Sequence, residues 1–297
     1  MAQVGTLDFK AFVEGRTELS AAMGEGGATA YAYAYDMKTR AAIAKAKPVE
    51  HAVTAAVRLL RSTGKAPLLG HSIKVGPNQF PRMHRLAQQC ADTLGISTPT
   101  LYIVNNPYMN ASTYGTNDDS FIMVHSALVD QFSDDELLYV LGHECGHIHN
   151  SHVVYLTAMY LLTQMASSFA KWLVEPALLA LSSWSRSAEI TCDRAGLLCA
   201  KNLDVATRSF TRLALGSIKL HDELNVEAFV SQYEEAQASV GRYAELRESH
   251  PWLPKRVLAL RAFAESELYR RHAGIGGGGI AMQEVDTKVH EIIKIWD

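Results

Sequence analysis

The chain has 297 residues, 48% of them hydrophobic and 20% charged, which is typical of a globular protein of one or two domains with a sizeable core. Its formal net charge of -3 argues against a nucleic-acid partner. The four cysteines form no C-x-x-C pair, so we interpret them as reduced thiols of a cytoplasmic protein. Residues 1–8 show neither the basic nor the apolar region of a signal peptide.

Residues 1–70 are predicted to form a helical N-terminal extension, with an amphipathic helix at 7–19 and another helix at 51–61. Tyrosines alternate with alanines over residues 31–35. This period of two fits a strand although alanine favours a helix, and both alternatives stay open. We expect the extension to pack on the main domain. The alternative is a segment that inhibits the site or gates substrate entry.

The next segment alternates helix and strand signals. A helix is predicted at 81–94 with Gly95 as its C-terminal cap, and strands are predicted at 100–104 and 120–125. Residues 110–115 lead into a hairpin-like turn before the second of these strands. We expect a small antiparallel sheet next to the helix that follows. The strand at 120–125 is expected to be an edge that pairs with an extended peptide, or else an ordinary strand covering that helix.

The central motif of the chain has the form H-E-x-x-H. Ser133 and Glu136 form a capping box that predicts the start of a helix just before it. On a helix, His143 and His147 share one face and can direct both imidazoles at one metal ion. Glu144 can then reach a water molecule on that metal as general base, which is the zinc metalloprotease arrangement. The helical context disfavours a chance match.

Three more side chains near the motif are not expected to be ligands. Cys145 is offset by two residues from either histidine and is expected to face the core. His149 and His152 are expected roughly opposite His143 around the helix, facing solvent or forming a second layer.

Residues 153–185 are strongly apolar. We predict two helices, buried in the protein or lying at an apolar contact surface. Polar residues interrupt the run, so a membrane hairpin or interfacial patch is kept open but not favoured.

A third ligand is predicted in a second helical stretch. Glu189 and Asp193 stand at positions i and i+4, and a carboxylate completes a His2Glu set that leaves one position open for water. Asp193 can accept a hydrogen bond from a ligand histidine and so fix its tautomer. The alternative is a solvated acidic helix face. Together with the histidines, the pattern favours Zn2+ as the cofactor.

Several motifs occur in one order along residues 76–260. They are Gly76-Pro77, Asn110-Ala111 before Gly115, Leu128 followed by Ser133-Asp134-Asp135-Glu136-Leu137, His143-Glu144-Cys145-Gly146-His147, Glu189 with Asp193, and His250-Pro251 with Pro254 and Arg256. In these residues the chain resembles the HtpX-like and CAAX-prenyl-protease-like zinc metallopeptidases, a gluzincin family. The resemblance implies a zincin-like α+β fold, predominantly α, over residues 71–273. It also implies His143, His147 and Glu189 as zinc ligands and Glu144 as catalytic base. The clear transmembrane helices of many members are absent or degraded here, so the chain resembles a soluble member.

The charged segment 234–248 is predicted to be a mostly solvated helix. In the proline-bounded loop that follows, His250 or Arg256 can donate to the oxyanion of a tetrahedral intermediate. The alternative is a structural loop with Arg256 in an internal ion pair. Residues 274–279 are predicted to be a Gly-rich linker. Residues 280–297 are expected to form an amphipathic helix that docks on the body, binds a partner or enters the active-site cleft.

We therefore predict a zinc-dependent endopeptidase that hydrolyses peptide bonds of protein or peptide substrates. Glu144 takes a proton from the attacking water and returns it to the leaving amine. One alternative is a non-catalytic, zinc-bound scaffold or chaperone-like binding protein. Another is a latent protease blocked by residues 1–70 or by the C-terminal helix. The sequence leaves the substrate and the oligomeric state open.

Overall fold

A computed structural model describes residues 30–63, 70–165, 171–221, 223–237, 244–246 and 248–295. The predicted helix at 7–19 and the predicted lack of a signal peptide concern residues outside these ranges. The helices are α1 (Ala34–Ile43), α2 (Lys47–Thr63), α3 (Pro81–Leu94), α4 (Ser126–Gln131), α5 (Asp134–His149), α6 (Val153–Met165), α7 (Lys171–Ala200), α8 (Leu203–Leu215), α9 (Ile218–His221), α10 (Val226–Gln237), α11 (Leu253–Ala264), α12 (Glu267–His272) and α13 (Met282–Ile293). The strands are β1 (Ser72–Lys74), β2 (Thr100–Val104), β3 (Ala111–Gly115) and β4 (Ser120–His125).

The predicted bounds of α3, β2 and β4 are confirmed. α3 begins at Pro81, where the missing N–H interrupts no helical hydrogen bond. It ends at Gly95, whose φ of 69° is the left-handed conformation that glycine adopts at little cost. These boundaries follow from interactions within a few residues, which is why the sequence predicts them.

The four strands form one sheet in the order β1-β2-β4-β3. β1 pairs antiparallel with β2, and β3 pairs antiparallel with β4, but β2 and β4 run parallel. The α+β, mainly helical fold class is confirmed, whereas the expectation of a purely antiparallel sheet is wrong. β4 is not an edge strand, because β2 and β3 cover both of its sides. The free edge near α5 is β3.

Two glycines let α5 and α7 lie in close contact. A Cβ added to Gly142 would come within 2.7 Å of the Cβ of Cys199, and one added to Gly146 would come within 2.8 Å of the Cβ of Ala195. Any larger residue would push the helices apart, because interiors are packed without spare volume. This close approach brings the side chains of α7 against the histidines of α5.

The apolar run at 153–185 forms two helices, as predicted: α6 and the first half of α7. Together with α2 they enclose the fully buried Trp184 in a second apolar cluster, separate from the main core around α3, α5 and the sheet. Residues 166–170, between the two helices, are not described. Over the described residues, no helix combines the length and the apolar character that crossing a membrane requires.

The described part of the N-terminal segment packs against α7. Residues 31–33 lead into α1, which begins at Ala34, so the alternating stretch 31–35 forms no strand and its last two residues are helical. The backbone N–H of Tyr33 donates to Thr191 at 3.1 Å, and Arg194 donates to the carbonyl oxygen of Tyr31 at 3.1 Å. Packing on the main domain is therefore the arrangement found for these residues.

The Gly-rich segment 274–279 is a short loop tied to the body and not a free linker. The N–H of Ile280 donates to the carbonyl oxygen of Glu265, and the N–H of Glu267 donates to that of Ile280, each at 3.0 Å. α13 then docks on the body, the first of the alternatives for the C-terminal helix. Its Asp286 pairs with the buried Arg194 at 2.7 Å.

Candidate metal centre

The central motif lies on α5, which begins with the predicted capping box. Ser133 accepts the N–H of Glu136, and the Glu136 carboxylate accepts the N–H of Ser133 at 2.9 Å. His143 and His147 follow on one face of this helix, and their Nε2 atoms are 3.2 Å apart. Both imidazoles therefore point at one position in space.

Glu189 of α7 faces the same position. Its Oε2 lies 3.4 Å from Nε2 of His143, and its Oε1 lies 3.5 Å from Nε2 of His147. Ligand atoms bound roughly 2.1 Å from a tetrahedral zinc ion are about 3.4 Å from one another. The separations among these three groups, 3.2 to 3.5 Å, fit a metal ion between them.

The other nitrogen of each imidazole has its own partner. Nδ1 of His143 donates to Oδ1 of Asp193 at 3.0 Å, and Nδ1 of His147 lies 3.2 Å from Nδ1 of His152. A proton on Nδ1 of a neutral imidazole leaves the lone pair on Nε2. In that tautomer, two lone pairs and the carboxylate of Glu189 converge on one position, an arrangement that suits a bound cation.

Arg256 of α11 balances the buried carboxylates. It donates to both oxygens of Asp193, at 2.8 and 2.6 Å, and its Nη2 lies 3.1 Å from Oε2 of Glu189. Burial raises the pKa of Asp193, but Arg256 outweighs burial and holds that pKa below its ordinary value. Burial lowers the pKa of His143, but Glu189 and Asp193 outweigh it and raise that pKa to about 10. The site therefore attracts positive charge strongly.

The two residues expected to donate to an oxyanion have different environments. Arg256 is 8% exposed, and its Nε and Nη2 are bound to Asp193. Arg256 thus forms the internal ion pair, which was the alternative to a donor role, and these nitrogens are not free for an oxyanion. The side chain of His250 is 58% exposed, with Nε2 3.5 Å from Oε1 of Glu189. Of these two residues, His250 is the one that combines solvent access with a place beside the converging groups.

Glu144 is held by a residue that the sequence motifs did not identify. Thr113 of β3 donates to Oε2 of Glu144 at 2.6 Å, and its hydroxyl also lies 3.3 Å from the Glu144 carbonyl oxygen. The two residues are 4% and 6% exposed. The edge strand therefore orients the carboxylate next to the metal-binding face of α5. The sequence carries no signal for this contact, because a threonine in a strand is commonplace.

Cys192 of α7 is an alternative to Glu189 as third ligand. Donor atoms of His143, His147 and Cys192 lie within 4.8 Å of one another. However, Sγ of Cys192 is 3.6 Å from Nδ1 of His152, on the Nδ1 side of His147, whereas Glu189 contacts both Nε2 atoms. Burial also raises the pKa of the Cys192 thiol well above its usual range, which favours the neutral form. The geometry favours Glu189.

The histidines that follow the motif are placed differently from the helical expectation. α5 ends at His149, and Ser151 has a φ of 60°, so the chain reverses and His152 packs against His147 instead of opposite His143. His152 is fully buried in a layer behind the site. His149 contacts the hydroxyl of Tyr31 at 2.9 Å.

All four cysteines are buried free thiols, and Cys145 lies in the main core as expected.

Architecture and site together place the chain in the zincin class of metallopeptidases, since a helix with the H-E-x-x-H motif lies beside a sheet edge and a second helix supplies a glutamate. The sequence profile of Peptidase family M48 matches residues 77–264. The chain belongs to this family, whose metallopeptidases are zinc-dependent. The HtpX-like family predicted from the motifs is thereby confirmed.

Similar proteins carry protease or metallopeptidase names. The chain is 35% identical over 214 residues to the plastoglobule-localized metallopeptidase 48, chloroplastic, of Arabidopsis thaliana, a match covering 68% of this chain and 62% of that protein. It is 23% identical over 232 residues to a protease HtpX homolog of Moorella thermoacetica, covering 67% of this chain and 77% of that protein. A shorter match to a protease HtpX homolog of Halobacterium salinarum is 37% identical over 76 residues and covers 26% of each protein. The chain thus spans less than two thirds of the Arabidopsis and Halobacterium relatives. No solved structure matches it.

Proposed function

We propose that the chain is a zinc-dependent endopeptidase that hydrolyses peptide bonds of protein or peptide substrates. His143, His147 and Glu189 hold the zinc ion, and Glu144 is the catalytic base. The observation that carries the proposal is the convergence of three acceptor groups, 3.2 to 3.5 Å apart, beside a glutamate that Thr113 orients. Membership of Peptidase family M48 supports the same activity.

The residues of the site divide the chemistry among them. When bound, zinc polarises the scissile carbonyl and lowers the pKa of a coordinated water molecule. Glu144 accepts the proton of the attacking water and delivers it to the nitrogen of the leaving amine. Asp193 holds the Nδ1 proton of His143 and so fixes the orientation of that ring. His250, with its exposed ring next to Glu189, donates to the oxyanion.

We further propose that an extended substrate pairs with β3. Hydrogen bonds at both ends of the β3–β4 hairpin determine which groups of β3 face β4. By alternation, the N–H and C=O groups of Ala111, Thr113 and Gly115 point to the free edge. The hydroxyl of Thr157 on α6 bonds both the N–H and the C=O of Gly115, each at 3.2 Å, and closes that end of the edge. Ala111 and Thr113 are left as the positions at which a peptide pairs.

We propose a cytoplasmic location with at most peripheral membrane contact. Tyr160 on α6 is 47% exposed and Leu179 on α7 is 42% exposed, which supplies a modest apolar surface for such contact. The Arabidopsis relative is plastoglobule-localized by name. Fractionation of expressing cells tests the location, and recovery in the membrane pellet after a high-salt wash would contradict it.

The first experiment compares wild type with Glu144→Gln in the cleavage of casein, with zinc content determined for both. A surface variant, Glu284→Gln, serves as the control. We expect wild type and control to cleave, and Glu144→Gln to keep its zinc while losing at least about 100-fold in rate, because general base catalysis contributes that much. Equal cleavage by Glu144→Gln would refute the assignment of the base. If none of the proteins cleaves although zinc is bound, a latent protease or a zinc-bound scaffold becomes the better interpretation.

A further inference from the structure

The two metal-facing histidines are supported in different ways. Behind His143 stands a carboxylate, that of Asp193, at 3.0 Å. Behind His147 stands a second imidazole, that of His152, at 3.2 Å. His152 has no solvent exposure, so only the protein can offer a partner to its outer nitrogen. The group that lies there comes from outside the metal-binding helices.

That group is Asp36 of α1, in the N-terminal segment. Asp36 is 1% exposed, and its Oδ2 lies 3.0 Å from Nε2 of His152, although the contact is bent away from the N–H axis. Two donors hold the carboxylate in place. Trp184 Nε1 donates to Oδ1 at 2.9 Å, and the Thr191 hydroxyl donates to Oδ2 at 2.7 Å. Both donors lie on α7, the helix that also carries Glu189.

We propose that Asp36 and His152, hereafter the Asp36–His152 pair, position His147 for metal binding. The proposal rests on the zinc peptidase function proposed above. It adds a residue that supports the metal site from outside the part of the chain matched by the family profile, since that match begins at residue 77 and Asp36 precedes it. The N-terminal segment is therefore part of the metal centre and not an addition to a complete peptidase domain.

The placement of protons on the ring nitrogens of His147 and His152 is consistent with this role. His147 must keep its lone pair on Nε2, so its proton is on Nδ1 and is donated to Nδ1 of His152. His152 then carries its own proton on Nε2, facing the carboxylate of Asp36. Each ring nitrogen of His147 and His152 then has a single role, as metal ligand, hydrogen-bond donor or hydrogen-bond acceptor, and both rings are neutral. A carboxylate at the end fixes the tautomer of His152 and, through it, that of His147.

The position of the N-terminal segment also bears on the inhibitory role considered for residues 1–70. Asp36 contacts His152, which lies on the Nδ1 side of His147, and Tyr31 contacts His149 at the end of α5. The converging Nε2 atoms lie on the other side of the His147 ring. Asp36 therefore supports the site from behind and does not cover it.

A packing role is the competing explanation, because the His152 ring also packs against Trp184 with centroids 5.3 Å apart. Two substitutions separate the explanations. His152→Asn keeps an acceptor oxygen near the place of Nδ1 but loses volume, whereas His152→Leu fills the space and offers no acceptor. If only packing matters, the leucine variant binds zinc better than the asparagine variant. If the acceptor matters, the order is reversed.

Asp36→Asn tests the carboxylate, and Asp286→Asn is its matched control. Asp286 is also a carboxylate with a buried partner: it pairs with Arg194 of α7 and accepts the N–H of Ala34, and these bonds do not involve His147 or His152. The measurements are zinc affinity by competition with a chromophoric chelator, and the visible absorption bands of the Co2+-substituted protein, which report ligand geometry. Neither readout depends on peptidase activity.

We expect His152→Leu and Asp36→Asn to weaken zinc binding by about 10- to 100-fold and to shift the cobalt bands, as is usual when the partner of a ligand histidine is lost. His152→Asn should bind zinc more tightly than His152→Leu, and Asp286→Asn should match wild type. Unchanged affinity and cobalt bands in Asp36→Asn and His152→Leu would overturn the role of the pair and leave the peptidase proposal standing. Wild-type protein that binds no zinc would overturn the metal centre itself.

Discussion

Replacement of Thr113 by valine tests whether the edge strand orients the catalytic base. The change removes one hydroxyl and keeps the shape of the side chain. The lost bond is 2.6 Å long and joins residues that are 4% and 6% exposed, so water does not replace it. A hydrogen bond to a charged group contributes about 1.5–3 kcal/mol. Since about 1.4 kcal/mol is a factor of ten in rate, we expect kcat to fall by about 10- to 100-fold.

The assay measures kcat and KM on a quenched fluorescent peptide, together with zinc content and the midpoint of urea unfolding. KM and zinc content should stay near wild type, because the hydrogen bonds of the Thr113 hydroxyl go to Glu144 and not to the three proposed ligands. Thr211→Val is the control: Thr211 is 1% exposed, but its hydroxyl bonds carbonyl oxygens within α8. An unchanged kcat would refute the orienting role of Thr113. A fall in kcat that only matches a loss of zinc would refute it too, since the effect would then be structural.

Three further tests use the same geometry. Arg256→Met removes the cation from two buried carboxylates, Asp193 and Glu189, and breaking such a pair costs about 3–5 kcal/mol, so the urea midpoint should fall sharply. An Arg256→Met protein as stable as wild type would contradict the ion-pair interpretation. His250→Ala, at an exposed position, should lower kcat with little change in the urea midpoint. Substrate peptides N-methylated at single amides should lose kcat/KM only where the amide meets Ala111 or Thr113 on β3. Equal kcat/KM across such a series would argue against pairing at the edge.

The features that the sequence predicted well are local. The capping box at Ser133 and Glu136 and the glycine cap at Gly95 depend on contacts within about one helical turn. The spacing of His143 and His147 places both on one helix face for the same reason. Such patterns depend on backbone geometry alone, so they hold in any tertiary setting that keeps the helix.

Predictions failed where a local pattern ended or where partners were distant. His152 was expected opposite the site, but the helix ends first and the chain reverses at Ser151. β4 was expected to be an edge strand, but strand order depends on where β2 and β3 pack and not on the strand's own residues. Arg256 had two interpretations of equal weight, and the position of Asp193 beside it decided between them.

The sequence by itself determined the metallopeptidase family, the helix that carries the two histidines, and the carboxylates available to join them. The tertiary structure decided which distant groups stand beside that helix: Thr113 against Glu144, His152 and Asp36 behind His147, and Arg256 against Asp193. These contacts join residues far apart in the chain. The placement of α7 against α5 likewise depends on glycines that let the two backbones approach closely, and such packing is a property that no single segment of sequence specifies.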